Sequence, residues 1–284
     1  MGAIAFSGKA IIVKLGYRYG ADAVTLLMYR MLFALPLFVF MAWWAGRGKA
    51  PLSRKDWLGV VGLGFCGYYL SSFLDFAGLE YITASLERLI LYLNPTLVVL
   101  FGWVFYKRGI TWGKLAGMVV SYSGVLLVFG HELGQQGSHA AWGALLVFLS
   151  TLSYAIYMIY SGELVRRLGS LRLVGLATSV ACLFCIAQFW IVRDASAMVV
   201  PQEVLWLSVL NSVLCTAAPV LMVMMAIERI GPGMTAQTGM IGPLSTIAMG
   251  VWLLGEPFNG WMLVGTCLVV GGIYLFVRLG RKPA

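Results

Sequence analysis

Charged side chains are scarce in this sequence. They make up 11% of its 284 residues, whereas hydrophobic residues make up 61% and the mean hydropathy is +0.89. Because average soluble domains carry about 25% charged residues, this composition excludes a water-soluble globular protein. A membrane-spanning helix needs roughly 20 apolar residues, so the chain has room for about ten spans with short connections. We therefore expect an all-α polytopic membrane protein.

Histidine and cysteine, which many catalytic and metal sites use, are few and unfavourably placed. The two histidines, His131 and His139, fall in one polar stretch, for which we expect a solvated loop rather than a metal site. All five cysteines lie within apolar runs, and the Cys182-x-x-Cys185 pair has no flanking His, Cys or acidic partner. The sequence therefore predicts no catalytic residue, metal or cofactor, and it argues against an integral-membrane enzyme.

Basic residues outnumber acidic ones, and the net charge is +9. They stand in short clusters between apolar stretches, which is the pattern of membrane topology and not of nucleic-acid binding. With the N-terminus inside, fourteen of the 20 Lys and Arg residues fall in cytoplasmic segments. The start of the chain lacks the basic region and small-residue cleavage site of a signal peptide. We expect a multi-pass protein of the bacterial cytoplasmic (inner) membrane with both termini in the cytoplasm.

Apolar runs separated by short polar links predict ten transmembrane helices. They lie near residues 1–17, 23–45, 57–77, 81–105, 112–130, 141–162, 171–192, 203–227, 231–254 and 259–278. The longest polar link, residues 131–140, divides the chain into residues 1–130 and residues 141–284, the second part ending in a short cytoplasmic tail. We expect this linker to lie outside the cell.

The two parts repeat one another at an offset of 148 residues. This offset aligns residues with special backbone roles: Pro95 with Pro243, Gly102 with Gly250, Gly117 with Gly265, and Gly124 with Gly272. Because each part holds an odd number of spans, the second five-helix repeat must be inverted relative to the first. Inverted repeats are the ground plan of many secondary transporters.

The same offset places the start of the sixth helix, near Ala141, upstream of Met1. The first helix is also at the short end of the length that a span requires. We expect that the natural chain starts upstream or that this chain is clipped at its N-terminus.

Four ionisable residues fall inside the predicted spans: Lys9, Arg30, Glu87 and Arg88. Each costs about 2.5–3.5 kcal/mol to insert and is a candidate functional residue. Their distances from the outer helix ends place Lys9, Arg30 and Glu87 in one layer, on the order of 9–12 Å deep. This layer permits pairing of Glu87 with Arg30 or Lys9. Either the group is a structural ion pair beside a Lys9 that extends towards water, or it faces a carboxylate-bearing substrate.

Other acids near this layer are expected to play a lesser part. Asp75 and Glu80 are predicted to lie at the outer mouth in contact with water. Glu87 is then the only deeply placed acid, and it is the candidate for proton coupling.

Two prolines lie inside predicted helices at equivalent positions of the two repeats. Pro95 and Pro243 each remove a helical hydrogen bond, and the freed carbonyls must be satisfied by protein or by a watery cavity. Tyr92, Asn94 and Gln237 lie within about two turns of these breaks. The pattern predicts either a substrate cavity at the matched breaks or simple packing kinks.

Tyrosine recurs along the sixth helix at positions 154, 157 and 160. Core packing explains this spacing, but Tyr154 and Tyr157 are also candidates to line a translocation pathway.

Small residues at helical spacing predict two close packing faces. One comprises Gly113, Gly117 and Ser121, through which a homodimer could form. The other is on the third helix and comprises Gly59, Gly62, Gly64 and Gly67.

The segments ASLERLILYLNPTLVVL (84–100) and LLGEPFNGWMLVGTCLVVGGIYL (253–275) resemble the repeat-ending motifs of the EamA family, part of the drug/metabolite transporter superfamily. The resemblance implies two five-helix repeats around a central cavity, with the fifth and tenth helices at the periphery. It places the following residues on helices close to the cavity: Arg30, Glu87, Arg88, Asn94, Pro95, Gln237 and Pro243. Members similar to this chain export amino acids and related metabolites, and others carry nucleotides, vitamins or opines.

One departure from relatives bears on mechanism. Small multidrug relatives use a glutamate in their first helix, where this chain has Lys9 and no acid. Proton–cation antiport of that type is therefore not expected.

The function predicted from the sequence is secondary transport of a small polar, carboxylate-bearing metabolite by alternating access, most plausibly outward. The expected partners are the small-molecule substrate, the lipid bilayer and, if transport is coupled, a proton; the chain acts as a monomer or a homodimer. The alternative is a non-transporting membrane receptor or assembly subunit.

Overall fold

The protein is all-helical throughout the part of the chain that the structure describes. This computed structural model describes residues 2–107, 112–136, 138–238, 246–256 and 259–279. No β-strand occurs within these ranges. The predicted all-α class is confirmed.

Seven α-helices are described before residue 137. They are α1 (Gly2–Arg18), α2 (Ala23–Gly46), α3 (Arg54–Leu63), α4 (Ser71–Leu79), α5 (Ala84–Leu91), α6 (Asn94–Tyr106) and α7 (Trp112–Gln136). A π-helical stretch, Gly64–Leu70, joins α3 and α4 into one long rod. Side-chain caps begin three of the helices: Asp22 caps α2, Ser53 caps α3 through a capping box, and Thr83 caps α5.

The helices described after residue 137 also include long and interrupted ones. It contains α8 (Ser138–Leu168), α9 (Ser170–Val192), α10 (Gln202–Ser212), α11 (Ala218–Thr238) and α12 (Gly260–Leu279). The π-helical stretch Val213–Ala217 joins α10 to α11, and another covers Gly250–Leu254. Within α11, Gly231 has a φ of 78°, a left-handed conformation that breaks the helix just before Pro232.

Six of the described helical segments are long and apolar enough to cross a membrane. They are Ala23–Gly46, Arg54–Leu79, Ala84–Phe105, His139–Leu168, Ser170–Val192 and Gln202–Ala236, with two shorter apolar helices at Leu115–His131 and Gly260–Phe276. The eighth predicted span, 203–227, continues through α11 into the start of the ninth. The two are separated only by the break at Gly231 within that helix. The polytopic prediction is thus confirmed, while the count of ten stays a prediction.

Part of the predicted linker is helical. Residues 131–136 continue α7 and α8 already begins at Ser138, so both histidines lie on helices and not in a loop. His131 exchanges a hydrogen bond with Asn259, with 2.8 Å between Nε2 and Nδ2, and His139 stacks on Tyr81. The prediction of a loop is therefore wrong for these two residues, although His139 is exposed as expected.

Helices α7 and α12 pack against each other along their lengths. A Cβ on Gly117 would lie 2.6 Å from the carbonyl oxygen of Gly272, and a Cβ on Gly124 would lie 2.7 Å from that of Gly265. Small residues therefore bring the two backbones together, as predicted for this face. Since α12 of the same chain covers it, the face is not free for the homodimer contact that the sequence suggested.

The second glycine face belongs to the rod of α3 and its π-helical stretch. Gly64 lies against the backbone of α9, with its would-be Cβ 2.5 Å from the carbonyl oxygen of Ala177, and Gly67 lies against the ring of Tyr157. Gly59 faces Leu164, but Gly62 has no atom within 4 Å. The packing face therefore comprises Gly59, Gly64 and Gly67, and the prediction was wrong for Gly62.

Two special backbone features recur 148 residues apart in the chain, the offset at which the sequence repeats. The π-helical stretches Gly64–Leu70 and Val213–Ala217 overlap when the chain is shifted by 148 residues. Lys107 ends α6 with a φ of 50°, and its equivalent, Gly255, ends the last π-helical stretch with a φ of 68°. Lys107 is the only non-glycine residue of the described chain with positive φ, a conformation that glycine adopts without strain.

Candidate functional site

The hairpin between α4 and α5 brings two acids to the same depth. Asp75 lies four residues before the end of α4 at Leu79, and Glu87 lies four residues after the cap of α5 at Thr83. Asp75 is 1% exposed, and its Oδ2 accepts a hydrogen bond of 2.5 Å from Nζ of Lys9 on α1. The prediction that Asp75 is solvated was wrong, because the hairpin turns its side chain into the bundle. Glu80, by contrast, is exposed as expected.

Glu87 pairs with its neighbour and not with Lys9 or Arg30. Nε of Arg88 lies 2.9 Å from Oε2 of Glu87, and both side chains are buried. The alignment is that of an ion pair and not of a hydrogen bond, since neither oxygen of Glu87 receives a hydrogen bond within the described residues. The long side chain of Arg88 reaches its neighbour by folding back along the helix, so Glu87 does not form the pairing with Arg30 or Lys9 that its depth permits.

Each of the two acids thus has a cation of its own, and all four side chains are buried. Oδ2 of Asp75 accepts the hydrogen bond from Lys9, while its Oδ1 receives none within the described residues. We call Lys9, Asp75, Glu87 and Arg88 the charged cluster.

Arg30 on α2 is completely buried and lies over the ring of Phe76, the residue that follows Asp75. Its Nε donates a hydrogen bond of 2.7 Å to Oγ1 of Thr216 in the second half, and its guanidinium lies 5.2 Å from the centre of the Phe76 ring. Both terminal nitrogens, Nη1 and Nη2, lack a hydrogen-bond partner in the described part of the chain. Four donor hydrogens of a cation thus point into the protein with no acceptor among these residues.

Further polar atoms without partners occur on neighbouring helices. Oγ1 of Thr178 on α9 and Oδ1 of Asn211 on α10 are buried and accept no hydrogen bond from the described residues. Thr178 is the 148-residue equivalent of Arg30. Buried polar groups ordinarily have hydrogen-bond partners in the protein or in bound molecules. These atoms therefore lack the hydrogen bonds that a bound molecule could supply.

The predicted break at Pro95 is present. Helix α5 ends at Leu91 and α6 begins at Asn94, so the fourth predicted span is two helices separated by Tyr92 and Leu93. Tyr92 and Pro95 are buried, and Oδ1 of Asn94 has no partner within the described chain. The equivalent proline, Pro243, lies outside the described residues.

The remaining second-half candidates differ in how they pack. Tyr157 is buried and meets Tyr68 edge to face, with ring centres 5.1 Å apart, and Tyr154 stacks on Tyr157. Tyr160 is 42% exposed, so only part of the tyrosine stripe is core. Gln237 lies on α11, and its side chain is outside the described residues.

A surface cleft of about 430 Å³ is lined by residues 19–22 and Thr25 and by Arg193, Ala197 and residues 199–201. Asp22 caps α2 there by accepting a hydrogen bond from the Thr25 backbone, and it accepts another from Nε of Arg193 at 2.7 Å. Partial burial raises the pKa of Asp22, but the hydrogen bonds from Thr25 and Arg193 outweigh it, and the pKa is lowered overall. This cleft is open to the surface, unlike the charged cluster.

Sequence reasoning missed Asp75, Phe76 and Thr216. The hairpin itself carried a usable signal for Asp75: two acids equally far from one tight turn must lie at equal depth. Phe76 and Thr216 gave no such signal, because their contact with Arg30 depends on how three separate helices pack.

Comparison with known proteins extends the resemblance noted above. A family model for the EamA-like transporter family matches residues 1–130 and 141–278. An uncharacterized transporter of Bacillus subtilis (strain 168), YcbK, is 29% identical over 303 residues, covering 99% of this chain and 93% of the relative. An uncharacterized transporter of Archaeoglobus fulgidus is 24% identical, covering 95% and 92%.

Two further matches carry different information. An S-adenosylmethionine/S-adenosylhomocysteine transporter of Chlamydia muridarum is 24% identical, covering 81% of this chain and 75% of the relative. A solved structure titled "Crystal structure of protein" has a TM-score of 0.68 at 19% identity and covers 99% of this chain and 96% of that one, which supports the fold alone. With a family model that spans most of both halves, the chain belongs to the EamA-like transporter family of membrane proteins.

Proposed function

We propose that this protein is a secondary transporter that exports a small polar, carboxylate-bearing metabolite by alternating access across the bacterial inner membrane. Arg30 carries the proposal, because both of its terminal nitrogens lack an acceptor in the described chain although the residue is 0% exposed. A buried guanidinium in that state is costly. A planar substrate carboxylate can accept two parallel hydrogen bonds from it.

The surroundings of Arg30 suit such a ligand. Phe76 offers an aromatic face beside the guanidinium. Thr178 and Asn211, on helices that pack against α2, carry polar atoms that have no partners among the described residues. The region therefore combines one charge with apolar walls and a few polar groups, which is typical of small-molecule sites. Tyr92, Asn94 and Pro95 at the break between α5 and α6 are proposed to line the same pathway, with Tyr154, Tyr157, Gln237 and Pro243.

Alternating access requires two halves that rock against each other. We propose that residues 1–130 and 141–284 are inverted repeats of five helices each, with both termini cytoplasmic. The matched π-helical stretches and the matched left-handed residues Lys107 and Gly255 support this arrangement. So does the α7–α12 contact, where Gly117 meets Gly272 and the equivalent residues, Gly265 and Gly124, meet each other.

The substrate class draws support from one relative. The Chlamydia muridarum protein is named for S-adenosylmethionine and S-adenosylhomocysteine, both of which carry a carboxylate. We propose a carboxylate-bearing substrate here without narrowing it to that pair.

The test is transport in proteoliposomes with a panel of carboxylate metabolites and their uncharged amides. We expect the acids, and not the amides, to exchange across the membrane. Arg30→Gln should lower transport at low substrate concentration by roughly ten- to a hundred-fold, since each hydrogen bond to a charged group contributes about 1.5–3 kcal/mol. Arg30→Lys keeps the charge but cannot donate two parallel hydrogen bonds from a planar group. Its transport should lie between that of the unchanged protein and that of Arg30→Gln.

Arg278→Gln is the matched control, because Arg278 is exposed and, among the described residues, bonds only to Tyr274 on its own helix. It should transport like the unchanged protein. Equal transport of acids and amides, or unchanged kinetics in a folded Arg30→Gln variant, would contradict the proposal. Absence of exchange for the whole panel would favour a receptor or assembly subunit instead.

A further inference from the structure

A carboxylate from the second half of the chain binds the start of a helix in the first half. Glu256 follows the π-helical stretch Gly250–Leu254 and accepts hydrogen bonds from the backbone nitrogens of Ala84 at 2.7 Å and Ser85 at 3.0 Å. Its Oε2 also accepts a hydrogen bond of 2.6 Å from the Ser85 hydroxyl. We call these three bonds the Glu256 latch. Because Ala84 and Ser85 are buried, water competes little for their donor groups.

A second contact joins the two halves at the same end. Nη2 of Arg18, the last residue of α1, donates a hydrogen bond to the carbonyl oxygen of Leu254, two residues before Glu256. The segment from Leu254 to Glu256 is therefore bound by α1 and by α5, two helices of the first half. These bonds must break before the halves can separate at this end.

Two other carboxylates bind helix starts, but each does so within its own half. Glu80 accepts a hydrogen bond of 2.9 Å from the backbone nitrogen of Ala23 at the start of α2. Glu228, which stands 148 residues after Glu80, accepts one of 3.2 Å from the backbone nitrogen of Ser170 at the start of α9. Because these bonds recur in both halves and do not cross between them, they cannot favour closure of one end over the other.

The Glu256 latch, by contrast, cannot form at the equivalent positions of the other repeat. A shift of 148 residues replaces all three of its members: Ala84 by Pro232, Ser85 by Gly233 and Glu256 by Arg108. Proline has no backbone N–H, glycine has no hydroxyl, and arginine only donates hydrogen bonds. The sequence thus provides neither the acceptor nor two of the three donors at those positions. In the proposed inverted arrangement, they lie at the opposite end of the molecule.

We propose that the Glu256 latch sets the resting conformation of the transporter, because it holds one end closed with bonds that the equivalent residues of the opposite end cannot form. The inference rests on the proposed function, since it applies the latch to alternating access. In the proposed topology the latched end is the outer one, because α1 starts in the cytoplasm and reaches this end at Arg18. The transporter without substrate then faces the cytoplasm, the side from which an exporter takes up its substrate.

The latch acts at a place that bears on the substrate pathway. Helix α5 runs from the latched turn to the break before Asn94 and Pro95, so movement of its start also moves residues that we propose line the pathway. The positive end of the helix dipole adds to the attraction for the carboxylate. Hydrogen bonds to a charged group are strong enough to change an equilibrium constant by at least about ten-fold.

Pulsed electron paramagnetic resonance tests the latch with no substrate present. Spin labels at Tyr19 and Gly260 report the latched end, and labels at Arg54 and Arg229 report the opposite end. All four positions are exposed, each pair joins the first half to the second, and a Cβ on Gly260 would meet nothing within 4 Å. The two native cysteines that are not buried are first replaced by serine.

We expect one short distance at the latched end of the unchanged protein. Glu256→Ala should add a longer distance there and raise the ratio of open to closed protein by at least about ten-fold, while the distance at the opposite end shortens. Ser85→Ala removes one of the three bonds and should give a smaller shift in the same direction. Glu80→Ala is the matched control, since Glu80 binds a helix start within one half, and it should leave both distances unchanged.

Unchanged distances in folded Glu256→Ala and Ser85→Ala proteins would overturn the latch, and so would a mostly open latched end in the unchanged protein. Should Glu256→Ala not fold, Ser85→Ala still decides. Opening of the latched end without closure of the opposite end would refute alternating access and leave the latch standing. A protein that shows the expected distances but transports no carboxylate would likewise refute the proposed function alone.

Discussion

Single residues in this protein carry most of the energetic cost and most of the functional potential. Arg30 and the charged cluster place five ionisable groups, each at most 5% exposed, within one region of an otherwise apolar bundle. Each such group costs about 2.5–3.5 kcal/mol on insertion scales. Lys9 and Asp75 compensate each other, as do Glu87 and Arg88, so Arg30 stands out as the group that the described chain compensates least.

Asp22 allows a prediction about pH and stability. Because the folded state lowers its pKa, the ionised carboxylate stabilises the fold fully above the unfolded pKa of about 4, and this contribution is lost as the pH falls through the lower folded value. We expect the melting temperature of the unchanged protein in detergent to fall more steeply below about pH 5 than that of Asp22→Asn, which keeps the cap without the charge.

The size of this effect should be modest, about 1 kcal/mol or less, because Asp22 and Arg193 are both partly exposed. Asp194→Asn is the matched control, since Asp194 lies next to Arg193 but makes no side-chain cap. Identical pH profiles for Asp22→Asn and the unchanged protein would show that the cap does not depend on charge.

At the scale of helices, α7 and α12 offer a sharp test of close packing. A Cβ on Gly272 would lie 2.5 Å from the backbone nitrogen of Ser121, whereas one on Gly271 would meet nothing within 4 Å. Gly272→Ala should therefore lower the stability by about 1–3 kcal/mol, through forced separation of the two helices. Gly271→Ala should be neutral or stabilise by up to about 1 kcal/mol, because alanine favours helix.

Thermal unfolding of the two variants, measured side by side in the same detergent, checks this pair. They differ by one position on the same helix, so expression and micelle effects are shared. Equal melting temperatures would mean that the two helices do not pack closely in the membrane protein.

Some helical features were predictable and others were not. Apolar runs predicted most helix positions, and Pro95 predicted the break before α6, because proline removes a hydrogen bond wherever it falls. The helical state of residues 131–136 was missed, because their polar composition resembles a loop while α7 simply continues through them. Gly62 was assigned to a packing face from its spacing alone. In the structure a Cβ at this position would have no atom within 4 Å, so Gly62 does not pack against a neighbouring helix.

Most residues of the candidate site could be predicted from the sequence, but not which of them form ion pairs with each other. Rarity inside apolar runs identified Lys9, Arg30, Glu87 and Arg88. Which cation meets which acid depends on helix rotation and on side-chain rotamers, which no spacing rule encodes. Asp75 was lost because nearness to a helix end was taken as exposure, although the α4–α5 hairpin is itself covered by other helices.

On the scale of the whole molecule, one carboxylate ties the two halves together. Glu256 accepts hydrogen bonds from the backbone of Ala84 at 2.7 Å and of Ser85 at 3.0 Å, and from the Ser85 hydroxyl at 2.6 Å. It thereby caps the start of α5 from a segment more than 170 residues away. A negative group at a helix start is also favoured by the helix dipole.

Glu256→Ala should therefore loosen this end of the bundle. We expect a cysteine placed at Ser85 to react at least about ten-fold faster with a charged maleimide when Glu256 is alanine, since hydrogen bonds to a charged group contribute about 1.5–3 kcal/mol. Glu163→Ala, in the body of α8, is the control and should leave the rate unchanged. Equal rates in all three backgrounds would show that Glu256 does not hold this end closed.

The bond between Arg30 and Thr216 has a consequence for how the protein is made. Its two partners are 186 residues apart, so a ribosome adding about 5–20 residues per second delivers Thr216 roughly 10–40 s after Arg30. Throughout that interval the second helix holds a cation whose neutral partner has not yet been synthesised. The first half must therefore wait at the insertion machinery, or in contact with water, until the second half arrives. Ribosome stalling sequences placed between the halves should accordingly increase degradation of the nascent chain, and Arg30→Gln should relieve it.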